Sequence, residues 1–165
     1  MSFFDFWTES IAIDLGTANT LIIHNDKVVV DSPSIVAIDQ KSNKIIAVGK
    51  EASLMHGKTH ESIKTVRPLK DGVIADFNAS EQMIGQLIKS IPNLNKRFYS
   101  PSLKMVICIP SGITEVEMRA VKESAERVNG KEVYLIQEPM AAAIGIGVDI
   151  MPVSYTHLRA HETLL

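Results

Sequence analysis

The chain has 165 residues, 45% hydrophobic and 22% charged, with 17 Lys and Arg against 19 Asp and Glu. A net charge of −2 gives no reason to expect a nucleic-acid partner, and a single cysteine, Cys108, excludes an internal disulfide. With no apolar run near the roughly 20 residues of a spanning helix and no signal-peptide pattern at the N-terminus, the reading is a soluble intracellular domain, or one domain with a small insertion.

In chain order, Ile11-Ala12-Ile13-Asp14 reads as a short apolar strand ending in an acid, followed by a turn through Asn19 and a second strand, Thr20-Leu21-Ile22-Ile23. Asn25-Asp26 turns into Lys27-Val28-Val29-Val30, giving an antiparallel meander that Pro33 ends. Ile35 to Ile38 and Ile45 to Val48 form a second hairpin around a polar turn. From Lys50 to Ala75 the pattern weakens, with a short helix near Glu51 to Met55 and then irregular chain. Asn78 to Glu81 has capping-box spacing, and Met83, Ile84, Leu87, Ile88 and Ile91 then give one apolar helical face that Pro92 stops. Leu103 to Ile109 is a buried-looking strand, with Cys108 as a small hydrophobe within it. Thr114 to Glu117 is another capping box, opening a helix with the stripe Val116, Ala120, Val121, Ala125 and Val128 and a stop at Asn129-Gly130. Val133 to Ile136 is a further strand, and Met140 to Ile146 a small helix. Strand and helix alternating in this half imply parallel crossovers joined to the meander, an α/β class.

Two places carry chemistry. In Asp14-Leu15-Gly16-Thr17-Ala18-Asn19-Thr20 a strand delivers a carboxylate to a sheet edge, and a Gly turn with hydroxyl and amide donors follows. Gly16 lets backbone N–H groups approach an anion, and Asp14 beside bound phosphate makes sense as a ligand to Mg²⁺, directly or through water. The competing reading is a hairpin turn whose Asp and Asn cap the backbone. Glu138-Pro139 places a second carboxylate at the C-terminal edge of a strand, the rim where open α/β sheets hold ligands, and a carboxylate there can orient a water. Its alternative is a helix-start acid favoured by the dipole. His24, His56 and His60 have no ligand spacing and read as surface residues.

These residues resemble a known family. The first motif, Arg67-Pro68, Asp71-Gly72-Val73-Ile74-Ala75-Asp76-Phe77, Ile109-Pro110-Ser111-Gly112, and Glu138-Pro139-Met140-Ala141-Ala142-Ala143-Ile144-Gly145 are similar to MreB, the rod-shape-determining bacterial actins, in consistent order from about Ser10 to Ile150. The resemblance implies the first half of an actin/Hsp70-type ATPase fold (ribonuclease H-like), a mixed sheet with helices plus a small inserted subdomain. Residues 11–32 and 76–150 would form the inner subdomain and 33–75 the outer one. It implies ATP and Mg²⁺ as cofactors, with Gly16, Thr17, Ala18, Asn19 and Thr20 on the phosphates, Asp14 serving the metal and Glu138 positioning the attacking water. It implies polymerisation with copies of itself, contact with the cell-elongation machinery and guidance of cell-wall synthesis. Gln137 stands where the family commonly has a second acid.

Phe3, Phe4, Phe6 and Trp7 share one side of a short helical wheel in residues 1–10, a shape that can lie in a bilayer interface. Phe98 and Tyr99, after Lys96-Arg97, resemble the family's second membrane-touching loop. Both fit a peripheral location on the inner face of the cytoplasmic membrane. Rings folded onto the core are the alternative for each. Residues 151–165 match nothing in the family and read as an unrelated tail. Lacking a second Gly-rich loop, the chain is expected not to hydrolyse ATP by itself. The other functional readings are a fragment of an Hsp70-like chaperone's nucleotide domain, a sugar kinase of the same superfamily, or a fragment with no role. Peptide-stimulated ATPase or phosphoryl transfer to a sugar would favour the first two respectively.

Overall fold

The computed structural model describes residues 8–58, 62–70, 73–91, 94 and 102–148. Phe3, Phe4, Phe6, Trp7, His60, Phe98, Tyr99 and the tail 151–165 lie outside the described residues.

The N-terminal meander is β1 (Thr8–Leu15), β2 (Asn19–His24) and β3 (Lys27–Pro33). Asn25 and Asp26 make the tight turn between β2 and β3 with φ of 51° and 58°, the left-handed pair that a two-residue hairpin requires and that Asn and Asp tolerate. Next come β4 (Val36–Asp39), β5 (Lys44–Val48), α1 (Gly49–Met55), β6 (Ile63–Val66) and the two-residue pair β7 (Leu69–Lys70) and β8 (Val73–Ile74). The last part is α2 (Phe77–Lys89), β9 (Ser102–Ile109), α3 (Glu115–Arg127), β10 (Gly130–Gln137) and α4 (Glu138–Gly145).

A five-stranded sheet has the order β10-β9-β1-β2-β3. β1 is the pivot of its mixed character, antiparallel to β2 and parallel to β9, which is parallel to β10. The expected crossovers joined to a meander are therefore present. A separate three-stranded sheet, β5-β4-β6, carries α1 and a small core of Ile35, Ala37, Ala47 and Ala52. β6 falls in chain read as irregular. Its four residues read apolar, polar, polar, apolar, without the alternation of a strand, and none is fully buried, so its pattern is faint in sequence.

The main core lies between one face of the five-stranded sheet and helices α2 and α3. Ile11, Ile13 and Leu15 of β1 and Leu103, Met105, Ile107 and Ile109 of β9 point into it, where Met83, Ile84, Leu87 and Ile88 of α2 meet them. The helices approach closely at Gly85, where a Cβ would sit 2.9 Å from Val128 Cγ1. The opposite face exposes Val106 of β9 and Tyr134 of β10. Lys104 pairs there with Glu132 at 3.1 Å and lies over the Tyr134 ring.

Several local expectations are corrected. The cap of α2 is Asp76, whose Oδ1 accepts from the Ala79 N–H at 2.9 Å, so the helix starts earlier than Asn78. Val116 is 74% exposed, because the buried side of α3 is Val121, Ser124 and Ala125. The Thr114–Glu117 capping box is present as expected. His24 is not a free surface residue, since its Nε2 lies 3.1 Å from Glu9 Oε2 and its side chain is only 12% exposed.

Candidate functional site

The register of the parallel strands decides what shares an edge. Asp14 on β1 stands opposite Cys108 on β9, and Cys108 opposite Ile136 on β10. Glu138 follows two residues later, at the first position of α4, with Pro139 behind it in the first turn. Asp14 and Glu138 thus flank the C-terminal end of β9, two strand spacings apart, roughly 10 Å across the sheet. Both are exposed.

Cys108 sits between them on the open face and is half-buried, so its expected full burial is corrected. Its thiol is pushed up from 9.0 to about 11, first by desolvation and then by the charges of Asp14 and Glu138. A single side chain therefore feels both carboxylates.

The turn between β1 and β2 starts at Gly16. A Cβ there would lie 2.5 Å from the Asn19 carbonyl oxygen, so only glycine permits the loop to close this tightly. Thr17 is half-buried, and Ala18 and Asn19 are exposed, with Asn19 Nδ2 donating to Asp31 Oδ1 at 3.4 Å. Thr20 differs from its neighbours: it is fully buried, and its hydroxyl lies 2.9 Å from Ser34 Oγ. The predicted loop residues, Asp14 and Glu138 are thus gathered at one rim. The Thr20 side chain faces inward.

Two residues to which sequence reading gave no role also touch this loop. Ser34 Oγ donates to the Gly16 carbonyl at 2.6 Å, and its N–H donates to the Ala18 carbonyl at 2.8 Å. Arg67 Nη1 lies 3.4 Å from the Thr17 carbonyl and 3.3 Å from that of Ala18. A polar residue inside the apolar run Pro33-Ser34-Ile35-Val36 and the charge before Pro68 were the available signals.

Among the described residues no group of three or more His, Cys, Asp or Glu side chains gathers as a metal cage. One carboxylate beside a Gly-turn of backbone donors fits Mg²⁺ brought with phosphates, an ion that keeps most of its waters and takes few protein ligands. The open loop and the spacing between the carboxylates leave room for such a group.

The family model for MreB/Mbl protein matches residues 8–156, and so runs past residue 150 into the start of the segment read as an unrelated tail. The chain belongs to the MreB/Mbl family. It is 51% identical over 144 residues to the cell shape-determining protein MreB of Haemophilus influenzae, covering 84% of this chain and 40% of that one. It is 48% identical over 145 residues to the cell shape-determining protein Mbl of Bacillus subtilis, covering 87% and 43%. Among solved structures, MreB5 of Spiroplasma citri bound to ADP superposes with a TM-score of 0.74 at 36% identity, over 87% of this chain and 42% of that one. A MamK double helical filament, 18% identical with a TM-score of 0.69 over 84% of this chain and 43% of that one, shares the fold. The fold is actin-like. The MreB/Mbl segment spans about two fifths of the length of these relatives. Family membership also removes the chaperone and sugar-kinase readings.

Proposed function

We propose that this segment is the N-terminal, nucleotide-binding part of an actin-like ATPase that polymerises into membrane-associated filaments and directs cell-wall synthesis and rod shape. The observation that best supports the reading is the meeting of the Gly16–Thr20 loop with Asp14 and Glu138 at one sheet edge. The nucleotides in the MreB5 structures, ADP and AMPPNP, support it further.

In this reading the N–H groups of Thr17, Ala18 and Asn19, with the Thr17 hydroxyl and Asn19 amide, bind the phosphates of ATP. Gly16 allows the close approach, and Thr20 braces the loop from below. Asp14 would hold Mg²⁺, which would offset the charge of the phosphates, and Glu138 would orient the water that attacks the terminal phosphate. Residues 11–32 and 76–150 act as the inner subdomain, and 33–75 as the outer one. Phe3, Phe4, Phe6, Trp7, Phe98 and Tyr99 touch the inner face of the cytoplasmic membrane. Each contact is weak alone, and filament formation adds many of them through effective concentration.

Both carboxylates are exposed in this segment, so water is not excluded from the rim. By itself the segment is expected to bind Mg-ATP more weakly than micromolar and not to turn it over. The decisive experiment grafts residues 8–148 into the matching part of Haemophilus influenzae MreB and measures ATP-dependent sedimentation and phosphate release. Glu138→Gln should cut release by about 100-fold with nucleotide still bound, and Asp14→Asn should weaken Mg-ATP binding. Release unaffected by both substitutions would sink the reading. In a membrane test, unchanged liposome pelleting after Phe3, Phe4 and Trp7 are replaced by Ser would remove the anchor.

A further inference from the structure

We infer that Arg67 and Ser34 are positioning residues that hold the carbonyl groups of the Gly16–Ala18 loop away from a bound phosphate, so that the outer three-stranded sheet sets the shape of the anion site. The inference rests on reading residues 16–20 as a phosphate loop.

A loop that binds an anion must present N–H groups and turn its carbonyl oxygens elsewhere, because a carbonyl facing phosphate is repulsive. In a turn of three residues nothing in the loop itself enforces that choice. Here the carbonyls of three consecutive residues all accept hydrogen bonds from residues outside the loop. Ser34 Oγ takes Gly16, Arg67 takes Thr17 and Ala18, and the Ser34 N–H takes Ala18 as well. The hydroxyl directions follow from the proton count. Ser34 Oγ spends its one proton on the Gly16 carbonyl, so at 2.9 Å it accepts from Thr20 Oγ1, which is the donor. Thr20, Ser34 and Gly16 therefore form one directed chain, and the buried Thr20 hydroxyl serves the loop through Ser34.

The two clasping residues come from one structural unit. Ser34 leads into β4 and Arg67 leaves β6, and these strands pair through Val36 and Val66. Pro68, fully buried, fixes the chain just after Arg67, and its carbonyl accepts from the Ala75 and Asp76 N–H groups. The guanidinium therefore projects from an anchored point, and one of its nitrogens, Nη1, reaches both adjacent carbonyls. Its bonds of 3.3 and 3.4 Å are long and exposed, so the clasp is adjustable. A shift of the three-stranded sheet relative to β1 and β2 loosens it and lets the loop carbonyls turn.

The test uses the isotopically labelled 165-residue chain and three forms of it: wild type, Arg67→Met and Arg67→Lys. Arg67 is exposed, so Arg67→Met keeps the fold, with the thermal midpoint as the check. NMR measures amide exchange with water at Thr17, Ala18 and Asn19, with Ile13 as an internal control. Titration with Mg²⁺ and inorganic triphosphate reports anion affinity. Arg67→Met is expected to speed loop exchange at least threefold, leave Ile13 unchanged and weaken triphosphate binding three- to tenfold. Arg67→Lys should recover part of both. Unchanged loop exchange in Arg67→Met overturns the inference. That holds even if affinity falls, since Arg67 would then act on the anion directly. If wild type shows no triphosphate-dependent change at the loop, the phosphate-loop reading fails for this chain, and the exchange rates still decide whether the clasp exists.

Discussion

The two faces of the five-stranded sheet come from the same strands and meet opposite surroundings. Towards the helices, Ile13 and Ile107 stand side by side and are 2% and 0% exposed. On the other face a row runs straight across the strands through Val28, Ile23, Ala12, Val106 and Tyr134. There Val28, Ile23, Val106 and Tyr134 are 59%, 41%, 38% and 50% exposed. Apolar character on both faces is the signature of a sheet meant to lie between two layers. Among the described residues the main contacts of α4 with the sheet are to β9 and β10. The covered face holds the fold, and the open face carries Asp14, Cys108 and the row beside them.

Substitutions on the two faces should separate sharply in urea denaturation. Ile107→Ala removes a fully buried side chain and should cost about 2–5 kcal/mol. A value under about 1 kcal/mol would mean that the helix-covered face is not the packed one. Thr114→Ala acts one layer out, on the cap of α3, and should cost about 1 kcal/mol.

The same cap has a pH signature. Hydrogen bonds from the Thr114 hydroxyl and N–H hold the Glu117 carboxyl below its ordinary 4.5. A carboxyl depressed in the folded state contributes stability that is present above its unfolded value and lost as pH falls through the folded one. The gap in thermal midpoint between wild type and Thr114→Ala should therefore shrink on going from neutral pH to about pH 3. A gap that stays constant would show that the carboxylate plays no part.

Val106→Thr, one residue from Ile107 on the opposite face, should change stability by no more than about 0.5 kcal/mol. The smallest stability effects are expected at Asp14→Asn and Glu138→Gln, which instead should alter Cys108. With its thiol at about 11, Cys108 carries on the order of 100-fold less thiolate near pH 8 than a cysteine at 9.0. Either neutralisation removes part of the cause and should speed iodoacetamide alkylation. An unchanged rate in both would show that neither carboxylate acts on Cys108.

Elements with strong periodicity were readable, and the reasons are visible in particular residues. Met83, Ile84, Leu87, Ile88 and Ile91 repeat at helical spacing, and all are buried. Thr114 and Glu117 form their box because both halves of the signal are local. What escaped reading depends on partners distant in sequence. β6 exists because Val66 finds Val36, and nothing within Ile63–Val66 itself announces that pairing. Val116 looks like part of a stripe, yet the position of α3 on β10 turns it outward. At the rim, Asp14, Gly16 and Glu138 were legible as types in a motif. The support from Ser34 and Arg67 was not, because Arg67 reaches the loop across 49 and 50 residues.

The parallel pairing of β1 with β9 has a consequence in time. Thr8 and Ser102, at the start of the two strands, are 94 residues apart, and β9 lies between β1 and β10. During synthesis the meander β1-β2-β3 can close by short turns at once. One edge of β1 must then wait until β9 emerges, about 4–15 s at ordinary elongation rates. Throughout that interval the strand that bears Asp14 is a free template for pairing. The Gly16–Ala18 hairpin is thus among the first parts of the molecule to take shape, and the edge beside it among the last to be sealed.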